Sequence, residues 1–325
     1  MVHLRPLSLG EIFDRTAELY RKNFVLFGGL SGVYAGAIMV LALLRIWVTF
    51  SLSGGSANPL QAALLGLFLI VEICVMFVLA GVSMAANSRA VAWVNLGEPA
   101  TIFGAYRSIL PRAGRYVWLM IVAGFRIYAP VVLFFLVFTA AIFAIPGIAG
   151  RGAAGADRGI LAGLTMFVFL VVAFVFSIWM LLRYSLAVPA CVVEDLKARQ
   201  AIKRSIELTK GSRGRIFVLF LLTIAITFAI VAFTQFPLLI PAFKHPGQPL
   251  PVWTLALQQV LNFVTSTLIG PIYAIGLTLF YYDQRIRKES FDIEWMMKAA
   301  GLTALPATEG EMRSATADET GPAQA

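Results

Sequence analysis

Charge is what this 325-residue sequence has least of. Asp, Glu, Lys and Arg together make up 13% of it, about half the roughly 25% of an ordinary soluble domain. Histidine and cysteine are scarcer still, with two of each. His3 and His245 cannot supply the paired histidines and clustered carboxylates that metal-dependent phosphodiester hydrolysis needs. Cys74 falls inside one apolar run and Cys191 at the end of another, so neither a disulfide framework nor a cysteine zinc site is legible. P-loop, dinucleotide, HExxH and Gly-x-Ser-x-Gly motifs are missing too. No cofactor, resident metal or catalytic residue is expected.

Apolar residues fill the gap, at 59% of the chain, more than a water-soluble globule can hide. The fold class that follows is all-α: a polytopic membrane protein with six transmembrane helices and flanking amphipathic helices. Runs of about 20 apolar residues cross a roughly 30 Å hydrocarbon core, and six qualify: Phe24–Phe50, Leu60–Ala86, Tyr116–Ile148, Ile160–Val188, Ile216–Phe236 and Val252–Tyr282. Pro130 removes a backbone bond to the Arg126 carbonyl, which predicts a bend in the third. The five prolines between Pro237 and Pro251 predict a stiff loop.

The net charge of +9 is spread between these runs rather than gathered on a soluble face, so no nucleic-acid partner is expected. Four Lys/Arg precede the first span (Arg5, Arg15, Arg21, Lys22), and four lie between the second and third (Arg89, Arg107, Arg112, Arg115). Seven join the fourth and fifth (Lys197, Arg199, Lys203, Arg204, Lys210, Arg213, Arg215), and five follow the sixth (Arg285, Arg287, Lys288, Lys298, Arg313). The alternate connections hold only Arg151, Arg158 and Lys244. The positive-inside rule then places both termini in the cytoplasm. The acidic residues Glu11, Asp14 and Glu18 argue against a cleaved leader. The organisation predicted is an amphipathic helix in 1–23, the membrane domain in 24–282, an interfacial helix in 283–301 and a disordered tail in 302–325.

Each odd-numbered span follows an amphipathic segment. Ser8 and Glu11 have capping-box spacing, and Ile12, Phe13, Thr16 and Tyr20 share one face. Pro99 suits the start of the second segment and Asp195 the N-cap of the third, with Gly211 as its stop. Aligning Ile12-Phe13, Ile102-Phe103 and Ala201-Ile202 suggests three parallel hairpin repeats about an axis along the membrane normal. Interfacial anchors on any six-helix protein would give the same pattern. Tyr281 and Tyr282, followed by Arg285, Arg287, Lys288 and the apolar–acidic run to Met297, fit a fourth interfacial element.

Three stretches carry a family resemblance. They are Arg5–Phe24, then Val188-Pro189-Ala190-Cys191-Val192-Val193-Glu194 leading into Ala201–Gly211, and Tyr281–Glu289. Over roughly Leu4 to Ala300 the chain resembles bacterial proteins carrying the glycerophosphoryl diester phosphodiesterase membrane domain. The resemblance implies a bacterial inner-membrane protein, limited to the membrane part and of largely undefined role; it transfers no functional residues.

Candidate sites are therefore intramembrane charges and headgroup contacts. Glu72 sits near the middle of the second span, where a charged carboxylate costs about 2.5–3.5 kcal/mol, and Arg126 is its expected partner. Arg45 and Arg183 lie near span ends and are expected to snorkel. Lys197, Arg199, Lys203, Arg204, Lys210, Arg213 and Arg215 are candidates for anionic lipid headgroups, or cover the inner rim of the bundle. Asn87, Gln258, Gln259 and Asn262 are expected to bond between helices, and Gly28, Gly29, Gly32 and Gly36 to allow close packing. The leading expectation is a non-enzymatic module that binds lipid or partner membrane proteins in envelope or lipid-related processes. The alternative is a small-solute or lipid transporter using Glu72 and Arg126.

Overall fold

The computed structural model describes residues 6–52, 59–144, 153–244 and 251–289. Six helices there are long and apolar enough to cross a membrane. They are α2 (Phe24–Leu52), α3 (Pro59–Asn95), α5 (Ala113–Ala144), α6 (Ala153–Tyr184), α9 (Arg213–Lys244) and α10 (Val252–Glu289). Four shorter α-helices, α1 (Leu9–Lys22), α4 (Ile102–Ile109), α7 (Ala187–Val193) and α8 (Ala198–Thr209), and a 3-10 turn at Leu110–Arg112 complete the described helices. No strand occurs among the described residues. The protein is an all-α, multi-pass membrane protein. His3, His245, Arg151, the segment 290–301 and the tail 302–325 lie outside the described residues.

Local chemistry explains the short helices. The Ser8 hydroxyl accepts from the Glu11 N–H (3.2 Å) while the Glu11 carboxylate accepts from the Ser8 N–H (2.7 Å), which completes the predicted capping box of α1. On the outer face Arg15 and Lys22 both hold Glu18 at 2.7 Å. Helix α4 starts later than Pro99 suggests, because Thr101 is its N-cap and accepts from the Gly104 N–H (3.1 Å). Asp195 is not the cap of α8. It sits in the turn at φ 55°, an asparagine- and aspartate-tolerant conformation, and Lys197 takes the N-cap position. Gly211, at φ +83°, supplies the predicted stop.

The spans run past several predicted ends. Helix α9 continues through Pro237 and Pro241 to Lys244, so the first prolines of the expected loop are helical. Helix α10 continues through Arg285 and Lys288 to Glu289. In the other direction α6 stops at Tyr184. Pro189 cannot donate to the Ser185 carbonyl, the Ser185 hydroxyl donates back to Leu182 O (2.9 Å), and the chain restarts as the wholly apolar, buried α7.

Packing is concentrated at the end where α2 begins and α10 finishes, which is also where most Lys and Arg gather. At this basic end Ile12, Phe27, Ala86, Ala90, Ala105, Ile109, Tyr116, Ile202, Ile216, Phe280 and Tyr281 belong to one buried cluster. The runs of alanine let backbones approach closely, which drives helix association where lipid removes the hydrophobic incentive. Tyr281 and Tyr282 are 0% and 3% exposed, so they are core residues and not the headgroup anchors their sequence context suggests. Toward the far end the spans present Leu67, Phe167 and Phe233 outward, as lipid-facing helices must.

Each hairpin carries its own far-end tie: an Arg45–Glu72 ion pair joins α2 to α3, stacked Phe134 and Phe169 rings join α5 to α6, and Gln235 bonds Asn262 between α9 and α10, with Gln258 donating back to Gln235 at 3.4 Å. These ties are chemically unlike, so a three-hairpin plan is visible without repetition of residues.

Helix α2 packs on α10 through two of the predicted glycines. A Cβ on Gly32 would lie 3.5 Å from Thr267 Cγ2, and one on Gly36 3.6 Å from Phe263 Cε2, whereas Gly28 faces open space. Gly32→Ala should therefore be nearly neutral. Gly32→Leu should force the helices apart at a cost of about 1–3 kcal/mol, read as faster thermal unfolding in detergent. Equal unfolding rates for both variants would contradict this packing.

Candidate functional site

The basic residues of the α7–α9 region divide into those consumed by internal ion pairs and those left at the surface. Asp283, whose side chain is fully buried, is the centre of the first group. Its carboxylate accepts from Arg215 (3.1 Å), from Arg287 Nε (2.9 and 3.0 Å) and from the backbone N–H of Leu7 (2.8 Å). Both guanidinium groups also donate to Leu7 O, at 2.8 and 2.7 Å. The residue preceding the Ser8 cap is thereby clamped to α9 and α10.

A second cluster joins α7, α8 and α10. Arg204 Nε donates to both Glu194 oxygens (3.0 Å each) and Arg204 Nη2 to Glu289 (2.6 Å). Tyr281 donates to Glu194 at 2.6 Å, and Arg285 to Glu289 at 3.2 Å. Burial works against the Arg204 charge, but the hydrogen bonds it gives Glu289 and Glu194 outweigh it and raise its pKa above the ordinary arginine value. Lys288 closes the last turn of α8 by donating to the carbonyls of Glu207, Leu208 and Lys210 at 3.0, 2.9 and 2.7 Å. Arg285, Arg287 and Lys288 are thus structural partners and not a free interfacial strip.

Lys197, Arg199, Lys203 and Lys210 are exposed. Lys197 and Arg199 line a notch of about 550 Å³ with Arg115, Trp118, Ala198 and Gln200, where the start of α5 meets the start of α8. Trp118 is half-exposed beside them. Arg115 donates to the Asp195 carboxylate (2.7 Å) and carbonyl (2.9 Å), which fixes it at the edge of the notch. Sequence reading counts Arg115 among the basic residues before the third span but does not mark it or Trp118 as a site; a basic residue three before a tryptophan at a span entrance was the available signal.

The intramembrane charges do not pair as expected. Glu72 meets Arg45 on α2, with Arg45 Nε 3.1 Å from Glu72 Oε2. It does not meet Arg126, which is exposed on α5. The reason is topological: Arg45 and Glu72 flank the same connection, while Arg126 belongs to another hairpin. Arg45 consequently has a partner besides headgroups. Arg183 and Arg213 flank Trp179, their guanidinium carbons 5.3 and 5.4 Å from the ring centroid. No group of three His, Cys, Asp or Glu able to hold a metal occurs among the described residues.

Between α3 and α9 lies a larger concavity of about 670 Å³, floored by α2 and α10. Its lining contains no Asp, Glu, Lys or Arg. Sequence reading did not find it, because it depends on how far apart two helices that are distant in sequence stand.

Residues 160–305 match the membrane domain of glycerophosphoryl diester phosphodiesterase. The match supports the resemblance read from the last two sequence stretches, and it describes a membrane domain, not a catalytic one. It begins at α6, so the opening Arg5–Phe24 stretch lies outside it. Glu194, Arg204, Arg215, Asp283 and Arg287 all fall within the matched stretch, whereas Leu7, the backbone partner of Arg215, Asp283 and Arg287, does not. Comparisons with curated proteins and with solved structures give no match.

Proposed function

We propose that this protein is a non-catalytic, lipid-binding module of a bacterial inner membrane, with both termini in the cytoplasm, acting in envelope or lipid-related processes. The observation that carries the reading is the notch lined by Arg115, Lys197 and Arg199 with Trp118 on its rim. Cations beside an interfacial tryptophan are chemically suited to an anionic headgroup whose glycerol region lies against the indole. The orientation is supported by the Lys/Arg bias between the two sides. The non-catalytic character is supported by the scarcity of histidine and by a match confined to a membrane domain. Partner membrane proteins would dock on the lipid-facing spans. Transport through Glu72 and Arg126 has less support, since the two lie in different hairpins and Glu72 lies against Arg45.

The test is lipid selectivity of the purified protein by native mass spectrometry. At about 1 kcal/mol per juxtamembrane cation, the triple variant Lys197→Ala/Arg199→Ala/Lys203→Ala should lose its preference for phosphatidylglycerol over phosphatidylcholine by about fivefold per charge. Inorganic phosphate should not displace the lipid if the acyl chains contribute. A triple variant with undiminished preference would refute the reading.

A further inference from the structure

The concavity between α3 and α9 has properties that the basic rim does not share. Its lining residues all lie within the spans. Ile224 and Phe228 on the α9 wall are 44% and 72% exposed, so the opening faces sideways into the hydrocarbon zone. Along α9, Phe220 lies seven residues and Val231 eighteen residues from the helix start, which places the concavity from about 10 Å to about 27 Å above the basic end at 1.5 Å per residue.

Polarity changes across the concavity. The α2–α3 side holds Ser31, Ser83 and Asn87, whereas the α9 wall presents Ile224, Phe228 and Val231. Asn87 is 2% exposed. Its Nδ2 donates to Ser83 O (2.9 Å) and approaches Ser31 Oγ (3.5 Å). A carbonyl only accepts, so the Ser83 contact fixes which end of the amide is nitrogen. Asn87 Oδ1 is then left buried without a hydrogen-bond partner, an arrangement costly enough to call for an explanation. Thr223 and Thr227 spend their hydroxyl protons on Leu219 O (2.9 Å) and Thr223 O (2.8 Å), so toward the concavity they offer lone pairs.

We infer that this concavity binds an uncharged lipid carrying a free hydroxyl, of the diacylglycerol type, which donates to Asn87 Oδ1 and lays an acyl chain between α3 and α9. The occupant needs a donor, because the orphaned group is an acceptor. It is uncharged, because the lining has no counter-charge and a bare ion at this depth is costly. It is amphiphilic, because a polar corner of Ser31, Ser83 and Asn87 adjoins an apolar wall of Ile224, Phe228 and Val231. A volume of about 670 Å³ falls within the range of small-molecule sites. This site is independent of the headgroup notch and stands if that reading fails.

The experiment uses the full chain in nanodiscs of phosphatidylcholine and a photoreactive diacylglycerol probe. On the unaltered protein, diacylglycerol should compete with the probe on the order of tenfold better than the same lipid with its hydroxyl acetylated, as expected for one buried hydrogen bond. Asn87→Ala should weaken the free-hydroxyl lipid to the level of the acetylated one and leave the acetylated one unchanged. Thr227→Trp should abolish labelling by filling the deep half, while the triple basic variant should label normally. Equal competition by the two lipids on the unaltered protein would overturn the proposal without any variant having to fold. Competition by phosphatidylglycerol as strong as by diacylglycerol would overturn it too, as would labelling of a basic-rim peptide in place of α3 or α9.

Discussion

Asp283→Ala is expected to release the N-terminal helix and to destabilise the protein by about 3 kcal/mol. The carboxylate has no contact with water and neutralises Arg215 and Arg287, while it also accepts from the Leu7 N–H. Its loss leaves two guanidinium groups facing each other around Leu7 O with nothing between them. Their side chains are 28% and 39% exposed, so they can turn partly to water, and the cost falls at the lower end of the 3–5 kcal/mol typical of breaking a buried pair. Asp283→Asn keeps an acceptor for Leu7 but no charge and should fall between. Limited trypsinolysis at Arg15, Arg21 and Lys22 reads the release of α1, and the half-life on heating in detergent reads stability. If α1 stayed as protected in Asp283→Ala as in the parent protein, the clamp would not be what holds it.

Glu194→Ala is the second large effect, at about 2 kcal/mol. It strands the buried Tyr281 hydroxyl, deprives Arg204 of one of its two carboxylates and loosens α7 and α8 from α10. Tyr281→Phe alone should cost about 1 kcal/mol, the net worth of a typical hydrogen bond. Because the two residues share that bond, the double variant should be less destabilised than the sum of the singles. Strict additivity in unfolding rates would show that the bond is not made.

The sequence spoke clearly where local rules govern. Apolar run length marked all six spans, and the Ser8–Glu11 spacing marked the cap of α1, because both depend on neighbours along the chain. Helix α7 was hidden because Val188–Val193 is as apolar as the span before it; Pro189, which deprives the Ser185 carbonyl of its partner, was the available signal. Depth along a helix showed that Glu72 needs a partner but not which one, since that depends on which hairpin stands beside it. Counting cations likewise found the basic rim but not its division. Asp283, Glu194 and Glu289 neutralise particular arginines through contacts between helices far apart in sequence, and only the remaining cations are free to meet a lipid.

The concentration of packing at one end has a mechanical consequence. The base behaves as a stiff hub, while farther from it the described helices are tied within hairpins by an ion contact, a ring stack and an amide ladder, and between hairpins by the approach of Gly36 to Phe263. Membranes of different hydrophobic thickness can then be met by the outer ends of the helices leaning more or less steeply, while the hub and the charges it carries keep one fixed shape.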